Sequence, residues 1–157
     1  MSSIRRLLLN QQVHTRLQAL PGPGPTPVIF AGEIPNPPPL LKTAGGDPDP
    51  SGRVAPYIVH FGGIGSPVVE PDVADSVDEL DWPVQLLCVA AYLDDCLDLV
   101  DRVHSWLFRW EPVHAGVVLG RLSPPPGYEP GPPRRLDQVQ PVRFEAPLQY
   151  RLTATAS

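Results

Sequence analysis

Apolar positions recur along the chain with two periods, and the switch between them marks most of the predicted elements. Across residues 4–20, Ile4, Leu7, Leu8, Val13, Leu17 and Leu20 return roughly as one face of a 3.6-residue repeat. Arg5, Arg6, Asn10, Gln11 and Arg16 fall largely on the other faces, so the segment reads as an amphipathic helix. Ser2 or Ser3 supplies its cap. Pro21-Gly22-Pro23-Gly24-Pro25 ends it, because proline lacks the ladder N–H and disfavours helix before it. Val28-Ile29-Phe30-Ala31 is a short strand. Residues 56–61 are rich in strand formers and put Tyr57, Val59 and Phe61 on one face. Gly62-Gly63-Ile64-Gly65 then turns the chain, and Val68-Val69 begins a partner strand.

The strongest pattern is WPVQLLCVAAYLDDCLDLVDRVHSWLFRW. Its apolar run at residues 84–91, broken mainly by Gln85, predicts a buried strand. Asp94 or Asp95 then caps a helix whose apolar face is Cys96, Leu99, Val100, Val103, Trp106, Leu107 and Trp110, with Pro112 as its stop. Asp94, Asp95 and Asp98 sit at the positive end of that helix's dipole, and Arg102 and Arg109 lie toward its negative end. These charges need no catalytic explanation. The tail is strand-like at residues 117–119, 142–144 and 148–154, where Leu148, Tyr150 and Leu152 share a face. The order helix, strands, helix, strands predicts an α+β fold: a mainly antiparallel sheet with two helices packed on one face. One domain spans residues 1–157, with Pro/Gly-rich loops at residues 35–53 and 123–133 and no internal repeat.

Composition sharpens this picture. Of 157 residues, 23 are Pro and 13 Gly, just under the level at which disorder becomes the default, so the patterned segments are held apart by irregular loops. The net charge of −5 argues against nucleic acid as the main partner. Cys88 and Cys96 lie inside apolar patterns, which suits small core residues better than a disulfide scaffold. The start, MSSIRRLLLNQQ, lacks the long apolar run and small-residue cleavage site of an export signal. No stretch approaches the length of a membrane span, and no membrane partner is expected. Residues 70–81 (EPDVADSVDELD) hold six acids and no base. They read as a solvated loop, as the charged face of a channel, or as a calcium loop that lacks the required glycine and terminal glutamate.

The search for catalysis is mostly negative. There is no P-loop, Gly62-Gly63-Ile64-Gly65 lacks the third glycine of a dinucleotide site, and Ser66 does not sit in a nucleophile elbow. His14, His60, His104 and His114 stand apart in sequence, and no cofactor or metal motif accompanies them. A site assembled from His60 with Asp72 or Asp75 is the enzymatic alternative. His104, near the buried helix face, reads as a hydrogen-bonded structural residue. Trp106, Phe108 and Trp110 place three aromatics within five residues, more than one sheet covers. The tryptophans read first as core. Phe108, pointing the other way, and Trp110 are the candidate interface residues.

The order of these elements resembles the tail terminator proteins of siphovirus-type actinobacterial phages. In that group an apolar strand runs into a helix with the sense Q-x-x-C-V-A, then D-x-V-x-x-W/L; Gln85, Cys88, Val89, Asp101 and Val103 match it, and Leu107 follows one place past its last position. The likeness covers residues 4–20 and 54–154 and includes the closing pattern VRFEAPLQYRLTA. The resemblance implies a structural virion protein without enzymatic activity or cofactor, assembled in the host cytoplasm. It implies a homohexameric ring that caps the tail tube and joins it to the head-proximal neck. Its partners are then itself, the tail tube protein and a neck or stopper protein. DNA passes through without specific binding. Glu70, Asp72, Asp75, Asp78, Glu79 and Asp81 would line or rim that lumen. The alternative is a head-completion or stopper (head–tail connector) protein of the same neck, with a small enzyme beside His60 as the third reading.

Overall fold

The computed structural model describes residues 4–63, 66–67 and 79–156, with the backbone alone at 66, 67, 79 and 156. Its elements run α1 (Arg6–Gln18), β1 (Val28–Ala31), β2 (Tyr57–Gly62), β3 (Ser66–Pro67), β4 (Glu79–Ala90), α2 (Leu93–Leu107), β5 (Val117–Leu119), β6 (Arg134–Leu136) and β7 (Arg143–Ala156). The strands form one sheet in the order β1-β2-β4-β7-β5, with β3 added to β4 and β6 to β7. Only β1 and β2 pair in parallel, and the other described pairs are antiparallel. The predicted α+β architecture holds. The parallel pair is possible because residues 32–56 form an arm long enough to return the chain to the same end of the sheet.

The sheet is built around β4 and β7, paired from Glu79↔Thr155 to Ala90↔Phe144. Each contains a proline, placed where the ladder does not need its missing donor. The Pro83 carbonyl accepts the Gly63 N–H at 3.0 Å, in the gap between the pairings of β2 and β3. Pro147 faces the gap between β6 and the Ser123↔Arg151 bridge, and its carbonyl accepts the Tyr128 hydroxyl at 3.1 Å.

Alternation along these strands separates two apolar layers. Ile58, Trp82, Val84, Leu86, Cys88, Leu148, Tyr150 and Leu152 join Leu9, Val13 and Leu17 of α1 and Leu99, Val103 and Leu107 of α2 in the main core. Tyr57, Val59 and Val89 form a second cluster with Phe30, Phe61 and Leu87. Tyr57 also accepts a 3.2 Å hydrogen bond from buried Arg143, whose other N–H groups reach the Pro141 and Gln140 carbonyls.

Several local expectations need correction. The buried line of α1 is Leu9, Val13 and Leu17, a strict i, i+4 series, whereas Leu7 is 57% exposed and Leu8 half-buried. Arg5 takes the cap position without a side-chain bond, and Ser2 and Ser3 lie outside the described residues. Tyr92 occupies the cap of α2, leaving Asp94 and Asp95 in its first turn. That helix stops at Leu107 rather than running to Pro112. Phe108 is already extended and Arg109 adopts φ 64°, so Trp110 leaves the helix altogether. β4 begins at Glu79, inside the segment read as acidic loop, because Leu80 and Trp82 are buried in alternation with Asp81. The two predicted tail strands are one continuous β7, and β6 arises in Arg134-Arg135-Leu136, where no apolar alternation announced a strand. Residues 35–53 form no named strand, but bridges at Leu40↔Val54 and Lys42↔Pro48 fold them into an arm. Val68 and Val69 lie outside the described residues.

Candidate functional site

The seam between α1 and the end of α2 carries the most distinctive chemistry of the surface. Because α1 buries one i, i+4 line, its adjoining face is left to meet the residues that follow the last turns of α2. Arg16 and Trp106 bond reciprocally there. The indole N–H donates to the Arg16 carbonyl at 2.7 Å, and the guanidinium Nη2 donates to the Trp106 carbonyl at 2.8 Å. The same guanidinium lies 3.5 Å from the Trp106 ring centroid and 5.3 Å from that of Trp110. Its partial removal from water lowers its pKa from the ordinary value, which for an arginine leaves the charge in place. Around this stack runs a mainly apolar groove of about 420 Å³ lined by Leu8, Gln12, Arg16, Ala19, Trp106 and Trp110, with Gln11 and Thr15 at its polar edge.

The groove is held by backbone devices that the sequence does not display. The Gln12 side-chain amide pairs with both the N–H and the carbonyl of Val113, clamping the segment after α2 onto α1. The Arg5 N–H donates to Nε2 of His114, whose Nδ1 bonds the Ala115 carbonyl. Reciprocal bonds of Arg109 and Trp110 with Leu122 hold Trp110 against the core.

Of the two interface candidates, Trp110 lines this groove and Phe108 lies outside it. Phe108 is 39% exposed and stacks at 5.1 Å on His104, which in turn meets the buried Tyr150 hydroxyl at 2.8 Å. His104 is hydrogen-bonded as expected, though itself exposed. Among the acidic residues, Glu70, Asp72, Asp75 and Asp78 lie outside the described residues. Glu79 opens β4 opposite Thr155. Asp81 forms an ion pair with Arg151 at 3.3 Å while its Oδ1 is buried without a partner, so it is tied into the sheet.

His60 is buried and its partner is His14, with His14 Nδ1 2.7 Å from His60 Nε2. Asp72 and Asp75, the partners considered for it, lie outside the described residues. Burial pushes the Cys96 thiol up to about 11 and Cys88 higher still, keeping both protonated and unreactive. Among the described residues no group of three or more His, Cys, Asp or Glu could hold a metal ion. No helix among them is long and apolar enough to cross a membrane. Comparison with protein-family models and with curated proteins finds no match.

The chemistry on offer at the groove is that of recognition. Aromatic faces, an apolar floor and a fixed cation suit an extended apolar segment.

Proposed function

We propose that this chain is a structural subunit that assembles with copies of itself into the tail terminator ring of a siphovirus-type phage. The observation that carries the reading is that, among the described residues, the sheet ends in two unlike edges, β1 on one side and β5 with β6 on the other. On β1, the Val28 and Gly32 N–H groups bond β2, so alternation turns the main-chain groups of Ile29 and Ala31 outward. Unlike edges favour head-to-tail contact, and head-to-tail contact closes into a ring when its rotation permits. The resemblance of residues 4–20 and 54–154 to tail terminators supports this particular ring.

A tube of stacked rings grows while each new ring offers the surface the next one needs. A terminator must match the tube on one face and refuse another tube ring on the other. The proline-rich segments at residues 35–53 and 123–133 serve the refusal, since proline cannot donate to an added strand. Phage lacking this protein are expected to make tube polymers of uncontrolled length and unattached heads, scored by electron microscopy. Tails of normal length that fail to join heads would replace this reading with the stopper.

A further inference from the structure

The arm between β1 and β2 and the groove beside Trp106 sit at opposite ends of α2, with complementary surfaces. The arm is fixed near the start of α2, where the Arg53 guanidinium lies 4.7 Å from the Tyr92 ring and Leu40 bridges Val54. The groove is at the other end, beside Trp106. Fourteen residues from Tyr92 to Trp106 correspond to about 20 Å of helix. The Pro39 carbonyl is bonded to the Ala55 N–H at 2.9 Å, so the arm cannot cross that distance to its own groove.

In the first part of the arm, Pro37-Pro38-Pro39 lies between Ile34 and Leu40, 56% and 42% exposed. Prolines have fixed backbone angles, so the run offers its apolar rings at low entropic cost. Aromatic-lined grooves are the usual receptors for such segments. Charge agrees: residues 4–20 carry Arg5, Arg6 and Arg16 and no acid, while residues 33–49 carry Glu33, Asp47 and Asp49 against Lys42 alone. We propose that residues 34–40 of one copy seat in the groove formed by α1, Trp106 and Trp110 of a second copy. This deepens the ring reading and rests on it. One arm and one groove per subunit, at opposite ends, give a heterologous contact that propagates around a ring.

The test uses the full chain in analytical ultracentrifugation, with two variants that leave the core untouched. The arm variant replaces Pro37, Pro38 and Pro39 with Ser. The groove variant, Thr15→Glu, places a longer acid at the groove edge, where Thr15 is exposed. The wild type is expected to assemble beyond a dimer, and each variant to self-associate at least tenfold more weakly with unchanged circular dichroism. If the triple substitution disturbs the arm, Ile34→Ser repeats the measurement at an exposed position. Mixing the arm and groove variants restores one intact arm and one intact groove, so the mixture is expected to form a dimer and no larger species. A mixture that stays monomeric overturns the contact, and so do variants that assemble as the wild type does, which leaves the ring reading standing. A wild type that forms only a dimer, broken by both variants, keeps the contact and overturns the ring.

Discussion

His14 Nδ1 lies 2.7 Å from His60 Nε2, joining α1 to the buried side of β2. At that distance one nitrogen carries the proton and the other accepts it, so the pair is stable only while at least one ring is neutral. Burial, with the nearby His14 ring adding to it, lowers the His60 pKa from 6.5 to about 4. In the unfolded chain His60 protonates near 6.5, so between pH 6.5 and 4 the unfolded state binds more protons than the folded one. Stability is therefore full above pH 6.5 and falls as pH drops toward 4. Urea unfolding at pH 7.5 and 4.5 should show a loss of about 2–3 kcal/mol from this residue. His60→Leu, read against the wild type at both values, should flatten the profile by that amount. An equal slope in the two proteins would mean that His60 titrates normally.

The packing of the two helices gives a sharper contrast. Leu107 is fully buried at the end of α2, whereas Leu7 on α1 is 57% exposed. Leu107→Ala should cost about 2–5 kcal/mol through lost transfer energy and the cavity left behind. Leu7→Ala should stay within about 0.5 kcal/mol. Similar losses for both in thermal or urea unfolding would contradict the orientation of α1.

Arg16 and Trp106 act as a unit. Arg16→Lys keeps the charge but loses the planar fork that both stacks on the indole and reaches the Trp106 carbonyl. Trp106→Phe leaves the Arg16 carbonyl without its indole donor. Each change should cost about 1–2 kcal/mol, and a double-mutant cycle should return a coupling of about 1 kcal/mol. Additive losses would show that the stack contributes packing alone.

What was legible in the chain follows from where one face is buried against water. Cys96, Leu99, Val103 and Leu107 repeat at helical spacing and are the buried residues of α2, and Leu148, Tyr150 and Leu152 alternate as β7 requires. Three consecutive leucines, Leu7 to Leu9, hid the true line of α1, since any one of them could start an apolar face. The end of α2 was hidden because Phe108 and Arg109 leave the helix through backbone angles that their residue types do not announce. Of the groove, Trp110 was visible as a surplus aromatic. Arg16, Gln12 and Val113 were not, because their contacts join positions about a hundred residues apart. The His14–His60 pair, 46 residues apart, was missed because it is set by how α1 lies on β2.

The acidic segment bears on how a ring would treat DNA. A channel that passes a duplex must not hold it, since each cation–phosphate contact adds affinity and slows transit. Glu70, Asp72, Asp75, Asp78 and Glu79 account for five negative charges, and each subunit carries a formal −5. Replacing these five with Gln or Asn brings the subunit to zero, while Asp81 is left in place for its ion pair with Arg151. If these acids face the lumen, the neutralised ring should retain double-stranded DNA that the wild type releases, and the difference should shrink as salt is raised. The measurement is DNA retention on the purified assembly at low and high salt, with unfolding curves to show that the fold is unchanged. Equal retention at low salt would reduce the segment to a solvated loop and remove its part in DNA passage.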